Sequence, residues 1–485
     1  MKRIIYIVLF ISLGFAGCEK YLDQAPDQRS ELTSPEKVSQ LLVSAYPQNA
    51  YMVFTESISD NSDDKGAGEI GVENHDPYFF QDLQTQSDDT PDNYWRACYK
   101  AIAATNVALE AIEKAPDPQR YTAQRGEALL ARAYSHFMLV SLFAKTYDET
   151  TASSDLGIPY VTEPETEVIK QYDRSTVANV YKKIEEDLKA GLPLLQNQYK
   201  SPKYHFTTAA AHAFAARFYL FKKEYQKVIE HANKAFPGTT IQNNLRPVNS
   251  TYRQMNDAEA RAQLNNQASL SANLLLAEQF SLYGYYNIYA RYRYGPSNDI
   301  LYSTVYAANA SGAPWAWSSM VVQYSANDPF LAKYGTRMKL ASLNANYGDA
   351  YCISPLLTTD ELLFNRAEAS VMTGSFAAAI TDLNMFLSQN IEGYDAGPDN
   401  LTEEKVKEFY ETDDTKEALI KTILDFKRTA FLHEGMRWFD ILRHKLTVVH
   451  RTVDGQEMTL GPDDPRRVFQ LPVEVQSAGL VLNPR

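Results

Sequence analysis

From Asn93 onward, apolar residues recur at intervals of three and four. The stretch NYWRACYKAIAATNVALEAIEKA sets Trp95, Tyr99, Ile102, Val107 and Ile112 near one stripe, the spacing of a helix that buries a single face. PDP at 116–118 interrupts that period, and RGEALLARAYSHFMLVSLFAKTY (125–147) predicts a second amphipathic helix. STVANVYKKIEEDLKAGLPLL opens a third, with Ser175 or Thr176 as its N-cap. Two later segments superimpose without gaps: YLFKKEYQKVIEHANKA (219–235) on SVMTGSFAAAITDLNMF (370–386). Tyr225 then meets Phe376, Ile229 meets Ile380 and Ala232 meets Leu383, and an alanine-rich helix precedes each segment. Small residues let paired helices approach, and an aromatic after the turn staples the pair, which is the logic of a tetratricopeptide-like repeat. Between about 238 and 357 the helical period fades into Gly, Asn, Ser and Tyr, and 57–91 behaves likewise. Long irregular stretches inside a helical chain predict functional loops.

The pattern therefore predicts a mainly α protein: a scaffold of helix pairs over about 93–237 and 358–445, with long irregular insertions carrying the ligand site at about 238–357. Length alone allows several domains; one domain over 36–485 is the expectation. A net charge of −13 disfavours a non-specific grip on phosphate backbones, so nucleic acid is set aside as a partner. The 32 tyrosines are the unusual count, since a flat ring bearing a hydroxyl suits amphipathic ligands as well as a core boundary.

The first residues change the picture of where the protein works. Lys2 and Arg3, an apolar run from Ile4 to Ala16, and the small pair Ala16–Gly17 follow the order of a secretory signal. Small residues ending at Cys18 resemble a bacterial lipobox, although Phe15 stands where a leucine is usual. That resemblance implies that 1–17 are removed and that Cys18 is lipidated. The polar EKYLDQAPDQRSELTSP then reads as a tether over 18–35 that holds the protein to the membrane by the lipid alone. Cys98 and Cys352 are expected as buried free thiols.

Near the C-terminus stands ILDFKRTAFLHEGMRWFDILRH (423–444). Glu434, Arg437, Asp440 and Arg443 recur every third residue with alternating sign, which predicts a charge ladder on one helical face, with Trp438 and Ile441 turned to the core. Gly435 within that helix predicts close packing. The segment resembles the signature helix of the SusD/RagB-like family. ELLFNRAEA (361–369), DLGIPYVTE (155–163) and the closing LPVEVQSAGLVLNPR resemble further parts of that family in the same order. The resemblance implies an outer-membrane surface lipoprotein that captures oligosaccharides and passes them to a TonB-dependent, SusC-like β-barrel transporter. Peptide cargo is the alternative within the family, and an α-helical glycoside hydrolase is the enzyme alternative.

No catalytic, cofactor or metal site is predicted. HEGMR (433–437) carries Arg437 where a zinc protease would carry its second histidine, and no GxSxG, P-loop or GxGxxG stands in a strand-to-helix context. SDNSDDKG (59–66) is rich in oxygen ligands but lacks an EF-hand register, so it reads as a solvated acidic loop with Asp63 and Asp64 as polar ligand contacts. Stacking on sugar C–H faces needs exposed aromatic rings. Trp315 and Trp317 in APWAWSS lead the candidates, followed by Tyr283, Tyr286, Tyr289 and Tyr292, with Arg291 and Arg293 as polar partners and Tyr78 from the other irregular region. The alternation at 283–294 equally fits a half-buried strand, and Trp95 and Trp438 lie on helices that predict core positions.

Overall fold

The computed structural model describes residues 32–485, except 166–169, 238–239, 265–266, 285–287, 341, 343–344 and 346 and the side chains of 263, 288 and 289. The signal, Cys18, most of the tether, Tyr286 and the side chain of Tyr289 lie outside the described residues. Helix α1 (Pro91–Glu113) starts at Thr90, whose side chain accepts from the Asn93 amide, with Pro91 in the first turn. It packs against α2 (Thr122–Phe143), which is buried along most of its length. Helix α3 (Val177–Gly191) begins at Thr176, one of the two expected caps. The paired helices continue with α4 (Thr208–Phe221) and α5 (Tyr225–Lys234). After the irregular insertion, which includes the single-turn α6 (Asn298–Tyr302), come α7 (Thr359–Met372) and α8 (Phe376–Asn390), then α9 (Glu403–Phe409), α10 (Thr415–Ala430) and α11 (Arg437–Arg443).

The repeat read from sequence is realised residue for residue. Helices α4 and α7 end at Phe221 and Met372, and α5 and α8 begin at Tyr225 and Phe376, one constant offset apart. The turn conserves even its backbone: Lys223 (φ 62°) and Gly374 (φ 78°) occupy the same left-handed position. Ala232 and Leu383 are buried as aligned, and α5 and α4 both pack on α7.

Small sheets fill the insertions. The largest orders β2 (Asn273–Phe280), β7 (Gly348–Thr358) and β6 (Arg337–Leu340), all antiparallel. Two-stranded pairs join β1 (Asp63–Asp64) to β3 (Tyr294–Gly295), β4 (Val321–Gln323) to β5 (Pro329–Leu331), and β8 (Val448–Arg451) to β9 (Glu457–Leu460). Cys98 and Cys352 are buried free thiols, as expected. Among the described residues, no helix is long and apolar enough to cross a membrane.

Two expectations are corrected. The segment 423–444 is not one helix: α10 ends at Ala430, His433 and Gly435 turn the chain with φ of 72° and 73°, and α11 starts afresh at Arg437. Its charges therefore form no surface ladder but a set of buried pairs. Glu434 accepts from Arg246 (2.7 and 2.9 Å) and Lys333 (2.7 Å), and Arg437 donates to Asp60 (2.9 and 2.8 Å). Asp440 accepts from Lys427 and Arg443, and Arg443 also grips Glu368 (2.8 and 2.7 Å). Trp438 and Ile441 are core residues as predicted, and a Cβ on Gly435 would lie 2.4 Å from Thr55 Oγ1, which is the close packing its presence implied. Nor is 59–66 a solvated loop. Ser59, Asn61, Ser62 and Asp64 are buried because Asp60 and Asp64 serve as partners of Arg437 and Arg293.

Candidate functional site

Three consecutive residues fix the irregular insertion. Pairing of β1 with β3 sets Asp63 opposite Gly295 and Asp64 opposite Tyr294. The Asp63 carboxylate accepts from the Ser297 hydroxyl, and Ser297 in turn caps α6 by accepting from the Ile300 amide at 3.1 Å. Asp64 accepts from Arg293 Nε (2.7 Å) and Nη2 (2.8 Å) and from the amides of Gly66 and Val453. Burial pushes the Asp64 pKa up, but these donors hold it below the usual carboxylate value. Lys65 buries its ammonium and donates at 2.6 Å both to the Ala290 carbonyl and to Asp328 at the end of the β4–β5 turn. Burial lowers its pKa, against the pull of Asp328. Gly68, at φ 131°, passes so close that a Cβ would meet the Arg291 carbonyl at 2.5 Å. Arg291 pairs with Glu69 at 2.9 Å.

The predicted polar residues Asp63, Asp64, Arg291 and Arg293 thus come together, but they bond to neighbouring side chains and act as struts. The aromatic candidates separate from them, and the structure corrects their assignment as stacking platforms. Trp317 is 0% exposed: its indole donates to Asn390 Oδ1 at 2.9 Å and Lys333 Nζ lies 4.5 Å from its ring centroid. Trp315, 2% exposed, packs edge-on against Phe426 at 4.9 Å. Tyr283 is buried against Tyr334, and Tyr292 is buried with its hydroxyl on Glu73. Tyr78 is sandwiched between His450 (4.2 Å) and Tyr294 (4.5 Å) and donates to the Arg451 carbonyl. The small residues around the tryptophans let the loop press into the helices instead of displaying the rings. Trp95 and Trp438 are core residues, as read from their helices.

The rings that do face solvent on this assembly are others. Tyr302 and Tyr306 are 67% and 47% exposed, with centroids 5.7 Å apart and planes tilted by 42°. Tyr324, 48% exposed, stands on the β4–β5 turn, and Asn298 Nδ2 donates to the Ala326 carbonyl at 3.1 Å to tie that turn to α6. Asn327 lies in the same turn, and Gln323 Nε2 donates within it to the Ser325 and Ala326 carbonyls, so the side-chain oxygens of Asn298 and Gln323 are the acceptors left there. Exposed rings beside amide groups and the exposed Asp299 carboxylate of α6 suit a polyhydroxylated ligand with apolar C–H faces. The sequence held a signal for the pair, a Ser297 cap followed by tyrosines four residues apart, but the denser run at 283–294 masked it.

Residues 20–220 match the SusD-like family described as starch-binding and associating with the outer membrane. No curated protein matches the sequence. Among solved structures, a SusD superfamily protein from Bacteroides thetaiotaomicron superposes with a TM-score of 0.67 at 19% identity, covering 93% of this chain and 100% of that one. One from Bacteroides vulgatus gives 0.69 at 18% identity, covering 93% and 99%. A laminarin-binding SusD-like protein gives 0.61 at 17% identity, covering 93% and 99%.

Proposed function

We propose that this SusD-like chain is a cell-surface lipoprotein that captures oligosaccharides without chemical change and delivers them to a TonB-dependent, SusC-like transporter. The observation that carries the reading is the conjunction of the SusD fold with an exposed tyrosine face braced by partly buried ion pairs. Sugar rings would stack on Tyr302, Tyr306 and Tyr324, while the side-chain oxygens of Asn298 and Gln323 and the side-chain amide of Asn327 would meet hydroxyls. Stacking depends on rings held in place before the ligand arrives, because ordering them on binding would subtract from affinity. The Asp63–Ser297, Asp64–Arg293 and Lys65–Asp328 contacts do that holding.

Anchoring through Cys18 completes the proposal. Isothermal titration against neutral oligosaccharides tests the ligand: Tyr302→Ala and Tyr306→Ala are each expected to weaken binding about tenfold, from roughly 1.5 kcal/mol per stacked ring. Unchanged affinity in both would remove the face. A Cys18→Ser protein that stays in the membrane fraction would refute the anchor, and peptides co-purifying with the protein would move the cargo to that class.

A further inference from the structure

A second concave feature lies away from the tyrosine face, where the helical repeat turns its ends inward. The C-terminal ends of α2, α4, α7 and α11 and the first turns of α10 enclose a cleft of about 1380 Å³, closed on one side by the 144–156 loop and on another by 462–468. That exceeds the roughly 300–1,000 Å³ of a drug-sized pocket and is room for an oligomeric ligand.

Its chemistry narrows the ligand. Seven Lys and Arg side chains face seven Asp and Glu, so the lining carries no net charge, His444 apart. Much of this is already paired: Lys145 with Asp155 (2.8 Å), Lys421 with Glu417 (2.7 Å), and Arg443 with Glu368 (2.7 Å). Charges held by one another present fixed donors and acceptors without calling for a counter-charge, which favours a neutral polar ligand over an ionic one. The 144–156 loop adds the hydroxyls of Thr146, Thr150, Thr151 and Ser154. Beneath them lie two half-buried tyrosines from different walls: Tyr147, braced on Tyr181 at 4.7 Å, and Tyr225 at the start of α5. None of the lining residues belongs to a strand, so the cleft offers no main-chain ladder to an extended peptide.

We infer that this cleft is a second binding site, for a neutral oligosaccharide, built from the repeat scaffold and separate from the tyrosine face. The ligand class rests on the proposed glycan reading, whereas the site stands on its own residues. Titration of the full-length protein in a non-glycosidic detergent with maltoheptaose and with laminarihexaose tests it. Tyr147→Ala is expected to weaken one binding event at least tenfold. Lys416→Trp, an exposed substitution on α10 that fills the cleft without touching the core, is expected to remove the same event. That event survives in the Tyr302→Ala/Tyr306→Ala double variant. Binding that is lost in the double variant and untouched by both cleft variants overturns the second site and leaves the tyrosine face standing. No saturable binding of either sugar to the wild type overturns both.

Discussion

Glu434→Gln removes one carboxylate from a buried three-residue charge cluster. The carboxylate holds Arg246 through two hydrogen bonds and Lys333 through one, and all three side chains are buried. Burial pushes the Glu434 pKa up, but Arg246 and Lys333 outweigh it and bring it from 4.5 down to about 2. That fall alone corresponds to about 3 kcal/mol of stability at neutral pH. Removing one partner of a buried pair costs about 3–5 kcal/mol, so two routes agree. The two cations respond differently. Burial has already lowered Lys333 to about 8, so it can shed its proton once Glu434 is neutral, whereas Arg246 cannot. The loss at pH 7 is therefore expected at about 3–5 kcal/mol and should shrink at pH 9, where wild-type Lys333 is itself largely neutral. At roughly 2.1 cal/mol/K per residue, a chain of this length melts about 3–5 °C lower. Glu434 is a depressed carboxylate, so its contribution is present above pH 4.5 and disappears as pH falls toward 2. Circular-dichroism denaturation curves of wild type and variant should converge over that interval. A loss under 1 kcal/mol at pH 7, or one that persists unchanged at pH 2.5, would refute the reasoning.

Gly435→Ala and Gly374→Ala separate strain from collision. Both glycines have φ above 70°, worth about 1 kcal/mol, but only Gly435 has Thr55 Oγ1 and Met52 Cα within 3.0 Å of the new Cβ. Urea titration should show about 1 kcal/mol lost at 374 and at least about 3 kcal/mol at 435. Lys223→Gly places in the first repeat what the second already has at Gly374, and should gain about 1 kcal/mol in the same assay. Glu56 has its pKa raised from 4.5 to about 7, by burial foremost, against hydrogen bonds from Gly435 and Asn61. Its stabilising effect is complete below pH 4.5 and is lost as pH rises through 7, so Glu56→Gln should flatten the stability profile across that window.

The scaffold was legible because helices in a repeat are written locally. Tyr225, the aromatic after the turn, packs against the core as Phe376 does in the second unit, and the offset between them held through the turn. Strand β7 was not legible, since Pro355 lies within it and a proline argues against a central strand. It is accommodated where the register with β2 shifts, between Leu275 opposite Leu357 and Leu276 opposite Pro355, and such a bulge depends on the partner strand. Trp317 failed for the same reason: it is buried against partners far away in sequence, among them Asn390, 73 residues on, which no local window contains. The period of three survives from Arg437 onward, where Asp440 and Arg443 pair at 3.1 Å within α11, whereas the left-handed His433 and Gly435 set Glu434 apart from that helix and give it other partners.

Those partners show what the α10–α11 segment holds in place. Arg437 and Arg428 hold Asp60 and Asn61, at the root of the segment whose next residues, Asp63 to Lys65, brace the tyrosine face. Burial opposes the Asp60 charge, yet these guanidiniums bring its pKa down to about 2, so the joint stays ionised under any ordinary condition. Glu434 and the Ala430 carbonyl hold Lys333, two residues beyond β5, at the root of the hairpin that carries Tyr324. The two roots then meet again through Lys65 and Asp328. The tyrosine face is thus one corner of a closed frame whose opposite side is the α10–α11 turn. Charges in that turn fix distant loops, which is why they are buried, and why a helical scaffold can carry an irregular surface without leaving it loose.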